Sequence, residues 1–277
     1  MMKSRYVSAV DAALATVPGM VEQTAPGRYR VALAGVCVTA WVDDSWLVMQ
    51  SPALGETSAA AMLARNSMLP ALVKFALDGS GNPMICAQIP IADLTGSAPL
   101  IRSTCEGIAT AAADSPAPIG IPVTPPDLQG LCAEARWDFT TRSDGSLAVE
   151  LECHGAFAQA SLRAHGEGVH LSVELADCLP CSPESESAIA LLLLIAGGAV
   201  RLARPVLEQG GEMRTPRFEA VFSTIPSAAE LSHALCALSV AFAACSEEVR
   251  VLWDPNVASE YLALLTPPIG CVQSVNK

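Results

Sequence analysis

Leu147, Val149 and Leu151 alternate with Ala148, Glu150 and Glu152, and Val169, Leu171, Val173 and Leu175 alternate with His170, Ser172 and Glu174. A period of two with one polar side predicts half-buried antiparallel strands whose polar face meets water. The first half carries the same period in three short runs, Arg28–Leu33, Val36–Val42 and Trp46–Gln50, with Gly35 and Asp43-Asp44-Ser45 as the turns of a meander. Both sides are apolar there: Val36, Val38, Ala40 and Val42 fall on one, Cys37 and Trp41 on the other. A sheet apolar on both faces is covered on both, so the other half, a second chain or a bound segment is expected on its second face.

Helices are predicted over residues 6–17, closed by Pro18-Gly19, and over 58–68, ahead of Pro70. Others follow over 98–113, 127–136, 186–204 ahead of Pro205, and from Ser227 to Glu247. "DGSGN" (Asp78–Asn82) and Gly210-Gly211 supply hairpin turns. The order helix, three strands, helix, hairpin, helix is therefore met twice. Gly35 matches Gly155, the Trp46 strand matches the Val169 strand, and "LTGSAPLIRSTCEGIATAAA" matches "STIPSAAELSHALCALSVAFAA". The expected fold is α+β: two tandem α-β-β-β-α-β-β-α units with antiparallel sheets flanked by helices, packed as an intramolecular pseudo-dimer. The units span residues 1–113 and 127–253, joined by the proline-rich linker 114–126 and followed by a tail, 254–277. Five prolines in "DSPAPIGIPVTPPD" predict an extended, stiff connector.

"AIALLLLIAGGAV" (Ala188–Val200) is apolar all round, which predicts a helix buried all round. It is shorter than the roughly 20 residues that span a bilayer. One small unit covers only one side of such a helix, so Ile189, Leu192, Leu193, Ile195 and Val200 are expected at the pseudo-dimer interface. Gly197-Gly198 would admit another backbone closely, at about 1 kcal/mol each in helix propensity.

Half of the 277 residues are apolar (51%) and 16% are charged, enough for a substantial core. The net charge of −12, without any Lys/Arg cluster, repels phosphate backbones and argues against nucleic-acid binding. "MMKSRYVSAVDAALATVPG" is too polar for a secretory leader, so a cytoplasmic protein without membrane contact is expected. Its ten scattered cysteines then read as reduced, mostly buried thiols.

No residue cluster announces a chemistry. "CLPC" (Cys178, Cys181) has redox or zinc spacing, with Cys153 and His154 as conceivable further ligands. It lacks both the βαβ context of a thioredoxin site and a second paired motif. His154, His165, His170 and His233 accompany no GxSxG or HExxH, and no phosphate-binding glycine motif follows a strand. No catalytic residue, metal or cofactor is expected.

The stretch "ARNSMLPALVKFALDGSGNPMICAQIPIADLTGSAPLIRSTCEGIATAA" resembles the type III secretion chaperones, the class I effector-binding kind and their YbjN-like relatives. The resemblance lies in a helix ending at Asn66, a strand with Phe75, Leu77 and Asp78, the hairpin Gly81, and Ile89–Ile91 before the closing helix. Members of that family are single units of about half this length that pair as homodimers, which implies a tandem pseudo-dimer here. The resemblance also implies a non-catalytic role, holding the N-terminal segment of a polypeptide partner along sheet and helix grooves without a cofactor. The partner-binding residues are then expected on the first sheet's second face, at Cys37, Trp41, Leu47 and Met49. The alternative is a structural or regulatory module that uses the same fold to assemble with itself and has no secreted client.

Overall fold

The computed structural model of the chain describes residues 2–53, 58–91, 97–113, 126–177, 179–211 and 213–265. The first unit begins with α1 (Met2–Leu14) and a meander of β1 (Met20–Ala25), β2 (Arg28–Leu33), β3 (Val36–Asp43) and β4 (Trp46–Pro52). Then come α2 (Ala59–Asn66), the hairpin β5 (Lys74–Leu77) and β6 (Pro83–Pro90), and α3 (Ser97–Ala112). The second unit runs α4 (Leu128–Glu134), β7 (Phe139–Thr141), β8 (Leu147–Cys153), β9 (Ala156–His165), β10 (Gly168–Glu174) and the two-residue β11 (Leu179–Pro180). It finishes with α5 (Pro183–Ala199), β12 (Arg204–Gly210), β13 (Met213–Phe222), α6 (Ala228–Val251) and α7 (Pro255–Leu265).

The fold is α+β, with two antiparallel sheets flanked by helices. Each meander has one strand more than its periodicity predicts. β1 reads Met-Val-Glu-Gln-Thr-Ala and is exposed along almost its whole length, so it lacks the apolar alternation that marks a strand with a buried face. β7 is only three residues long. The segment after Trp253, expected as a tail, forms α7 as far as Leu265. The proline-rich connector, apart from Pro126, lies outside the described residues.

The first sheet has the order β1-β2-β3-β4-β6-β5. In the second, β7-β8-β9-β10-β13 follows the same path, with β12 on the free side of β13 and β11 beside its start. The backbone repeats in finer detail as well. Left-handed φ values recur at equivalent turns in six pairs: Gly27 and Gly145, Ala34 and His154, Gly35 and Gly155, Asp44 and Gly166, Leu72 and Leu202, Gly81 and Gly211. Two leucines at equivalent left-handed positions are costly for a branched side chain, about 1–3 kcal/mol each. They mark the loop between middle helix and hairpin in both units.

Within each unit the closing helix covers the apolar face of the sheet. α3 packs on β2, β3, β4 and β6 with Ile101, Cys105 and Ile108 buried. α6 lies across β8, β9, β10 and β13 with Leu231, Leu235 and Leu238 buried. By length and composition α6 is the one described helix able to cross a bilayer, and here one side of it is spent on this sheet.

The halves join by exchange. α2 of the first unit packs on β12 of the second, α5 of the second packs on β5 of the first, and α2 and α5 pack on each other. Each middle helix thus lies on the hairpin of the opposite unit, the relation that a symmetric dimer interface has between two chains. α5 stops five residues before the predicted end, because Val200 turns extended, Leu202 is left-handed and Pro205 disfavours helix at Arg204. Gly198 is required by this contact: a Cβ there would lie 2.3 Å from the Leu77 carbonyl oxygen of the first unit. Helix propensity alone predicts that Gly198→Ala gains about 1 kcal/mol. The contact reverses the sign, and urea unfolding should show a loss of about 1–3 kcal/mol for this variant.

Candidate functional site

The four residues predicted to bind a partner fall on two faces. β3 and β4 pair Ala40 with Met49 and Val42 with Leu47, while Trp41 pairs with Val48. Leu47 and Met49 therefore point into the core, fully buried, and Met49 Sδ lies 3.5 Å from Cys105 Sγ of α3. Cys37 is exposed and Trp41 half-buried on the opposite face. Only these two share a surface. Beside them the second unit covers the β5–β6 side of that face, which answers what lies over its apolar side: Lys74, Cys86 and Gln88 are buried there.

Polar groups at this seam repeat as the fold does. Lys74 at the start of β5 donates from Nζ to the carbonyls of Val200 and Ala203, in the loop that ends α5. Arg204 at the start of β12 donates from Nη1 to Leu69 O (2.8 Å) and Pro70 O (3.3 Å), in the loop that ends α2. Each cation thereby donates to carbonyls beyond the opposite unit's middle helix, Pro70 O accepting from Val73 N–H as well. Asn66, wholly buried at the end of α2, links both units through one amide. It donates to Phe75 O (3.2 Å) and Pro205 O (2.7 Å) and accepts from Phe75 N–H (2.6 Å).

Arg204 also pairs with Glu219 at 2.7 Å, and Glu219 lies 3.0 Å from His170 Nε2 and 3.4 Å from Arg217. Burial alone would raise the Glu219 carboxyl, but the hydrogen bond with His170 and the charges of Arg204, His170 and Arg217 hold it down at about 2. His170 and Ser172, expected on a water-facing side, are mostly covered, whereas Glu150, Glu152 and Glu174 on that face are exposed. Among the described residues of this cluster Arg204 alone bonds across to the first unit; Glu219, His170 and Arg217 hold it in place from the second.

Among the described residues Lys74 has no carboxylate partner, and burial pulls its ammonium down to about 8, the nearby Cys86 thiol opposing. An unfolded lysine titrates near 10.5, so the unfolded chain binds the extra proton between those values. This group's contribution to stability is therefore present above about 10.5 and lost as pH falls through 8. Compared with Lys74→Met, the wild type should gain on the order of 3 kcal/mol over that alkaline window in urea titrations. A neutral amine still has two hydrogens for its two carbonyls.

The residues predicted at the pseudo-dimer interface divide as well. Ile189 and Leu193 are fully buried, and Val200 is buried with its carbonyl on Lys74. Ile195 is 43% exposed, and Leu192 turns towards α6 and α7.

That side of the second unit carries an open, mainly apolar groove. A capping box at Ser227 and Glu230 starts α6, which runs to Val251. The corner to α7 is pinned by Ser185 Oγ donating to Trp253 O (3.2 Å) and Trp253 Nε1 donating to Pro180 O (2.9 Å). Asp254 then accepts from Asn256 N–H, and Pro255 occupies the first helical position. The result is a groove of about 430 Å³ floored by Leu192, Leu252, Val257 and Tyr261, with Val251 and Leu264 on its walls. Val251 is 52% and Leu264 84% exposed. A second depression, lined by Phe157 and Phe242 but also by Ser246 and Arg250, shares Val251 and Glu247 with it, so a mixed, mainly apolar surface continues from β9 to α7. The sequence reading missed this surface, because Val251, Val257 and Leu264 lie in the segment read as a helix end and tail.

Cys181 is a free thiol that burial and the nearby Glu186 raise to about 11, which makes it a poor nucleophile. Its predicted partner Cys178 lies outside the described residues. Among the described residues no group of three His, Cys, Asp or Glu side chains is arranged to hold a metal ion. His154 occupies the β8–β9 turn, His165 and His170 lie ring to ring at 6.3 Å, and His233 packs on Trp46 at 5.8 Å. No protein-family model matches the chain, and no curated protein matches it in sequence.

Proposed function

We propose that this is a non-catalytic polypeptide-binding protein of the secretion-chaperone kind, acting in the cytoplasm without a cofactor. Its two units serve as a permanently joined pair, and a partner segment is held on the second unit's helical side. The observation that carries this reading is the mainly apolar surface from Phe157 to Leu264, left open while the seam between the units is closed by matched hydrogen bonds. Exposed contiguous apolar surface of this kind marks interaction sites. The exposed edge strand β1 offers a second place for extended backbone to pair.

Affinity capture from the source cytoplasm, followed by binding of the purified partner segment, tests this reading. One segment should bind with defined stoichiometry, lose at least tenfold in affinity to Leu264→Asp, and keep its affinity for Trp41→Asp. Loss with Trp41→Asp alone would move the site to the first sheet. A well-folded protein that captures nothing, or that only self-associates through Leu264, would overturn the reading in favour of a self-assembly module.

A further inference from the structure

We infer that the groove between α5, α6 and α7 receives a basic amphipathic helix of the partner, an inference that rests on the polypeptide-binding reading above. Three walls of the groove are helices, and a fourth helix laid between them follows the ridges-into-grooves packing that helices use elsewhere. Its floor is apolar, with Leu192, Leu252 and Val257 available to a few aliphatic anchors. Its rim is acidic. Glu247, Glu248 and Glu260 border the groove from α6 and α7, all three exposed, and none forms an ion pair among the described residues.

Among the described residues no cation lines this groove; Arg250 lines the neighbouring depression instead. An apolar stripe edged with Lys or Arg matches this pattern in both respects, and an acidic helix would meet like charges. The same rim, in a chain of net charge −12, opposes an anionic lipid surface. Polypeptide is therefore the occupant that the charges favour.

The test uses the full chain and two synthetic peptides patterned as amphipathic helices, one Leu/Lys and one Leu/Glu, followed by fluorescence anisotropy at two salt concentrations. The Leu/Lys peptide should bind, weaken with salt, and become helical by circular dichroism on binding. The triple variant Glu247→Gln, Glu248→Gln, Glu260→Gln should weaken it about tenfold, roughly twofold for each exposed charge pair removed. A control triple on the open face of the second sheet, Glu150→Gln, Glu152→Gln, Glu174→Gln, changes the net charge equally and should leave affinity within about twofold. That comparison separates the groove from the general attraction of an acidic protein for a basic peptide.

If both peptides bind alike and Leu264→Asp abolishes both, the charge inference fails and the polypeptide-binding reading stands. If neither peptide binding nor partner capture depends on Leu264, both fail. Self-association, or binding to vesicles of neutral and anionic lipid, that Leu264→Asp abolishes would give the groove to a second copy or to a membrane and overturn the inference. Leu264 is almost fully exposed, so its substitution is not expected to disturb folding.

Discussion

Arg204→Met is expected to cost about 3–5 kcal/mol of stability, the usual penalty for breaking a buried ion pair from one side. The guanidinium is 5% exposed and its partner Glu219 2%, so the carboxylate loses its closest charge without gaining water. The substitution also removes the side-chain donor of Leu69 O in the α2–β5 loop, while Pro70 O keeps the Val73 N–H. His170 and Arg217 remain near Glu219 and keep the loss from being larger. The double variant Arg204→Met, Glu219→Leu should recover most of the stability, because no uncompensated buried carboxylate is left. Urea unfolding of the two singles and the double measures this directly. A double variant no better than Arg204→Met would show that the cation acts through the loop carbonyls alone.

Asn66→Leu should be of comparable size, at least about 3 kcal/mol, because three buried backbone groups lose their only side-chain partner at once. Asn66→Asp should be worse than its near-identical shape suggests. It keeps the acceptor for Phe75 N–H but sets a carboxylate against the carbonyls of Phe75 and Pro205. Both variants act on the two units together, so hydrogen exchange should rise in β5 and in β12, not in one hairpin alone. Exchange confined to β5 would mean that the Pro205 link contributes little. Asn66 does not line the α6–α7 groove, and partner affinity should follow only the folded fraction.

Legibility followed the burial of side chains. β2 was readable to the residue, Arg28–Leu33, because Tyr29 and Val31 are buried between polar neighbours and the period is plain. β1 was not, since an edge strand with both faces open needs only backbone pairing, which any polar residue can supply. α5 was readable as a buried helix from its composition, but its end was set by the left-handed Leu202 and the extended Val200, which composition does not encode. Cys37 and Trp41 were rightly grouped by alternation along β3. Leu47 and Met49 were grouped with them wrongly, because the facing of β4 depends on its register against β3, and register is a relation between strands.

The sequence by itself determined the α+β class, the repetition of one order of elements and the net negative charge. These depend on local periodicity and on composition, which each segment carries alone. The cover expected over Cys37 and Trp41 is not there, since Cys37 is exposed and Trp41 half-buried. Only the tertiary structure decided that the units exchange middle helices, that Lys74 and Arg204 reach across to one another's loops, and which apolar residues remain in water. Val251, Tyr261 and Leu264 look like any other core residues in a list. They form an open groove because α7 folds back on α5 and leaves one side of the last turns of α6 uncovered, and that follows from packing between distant segments.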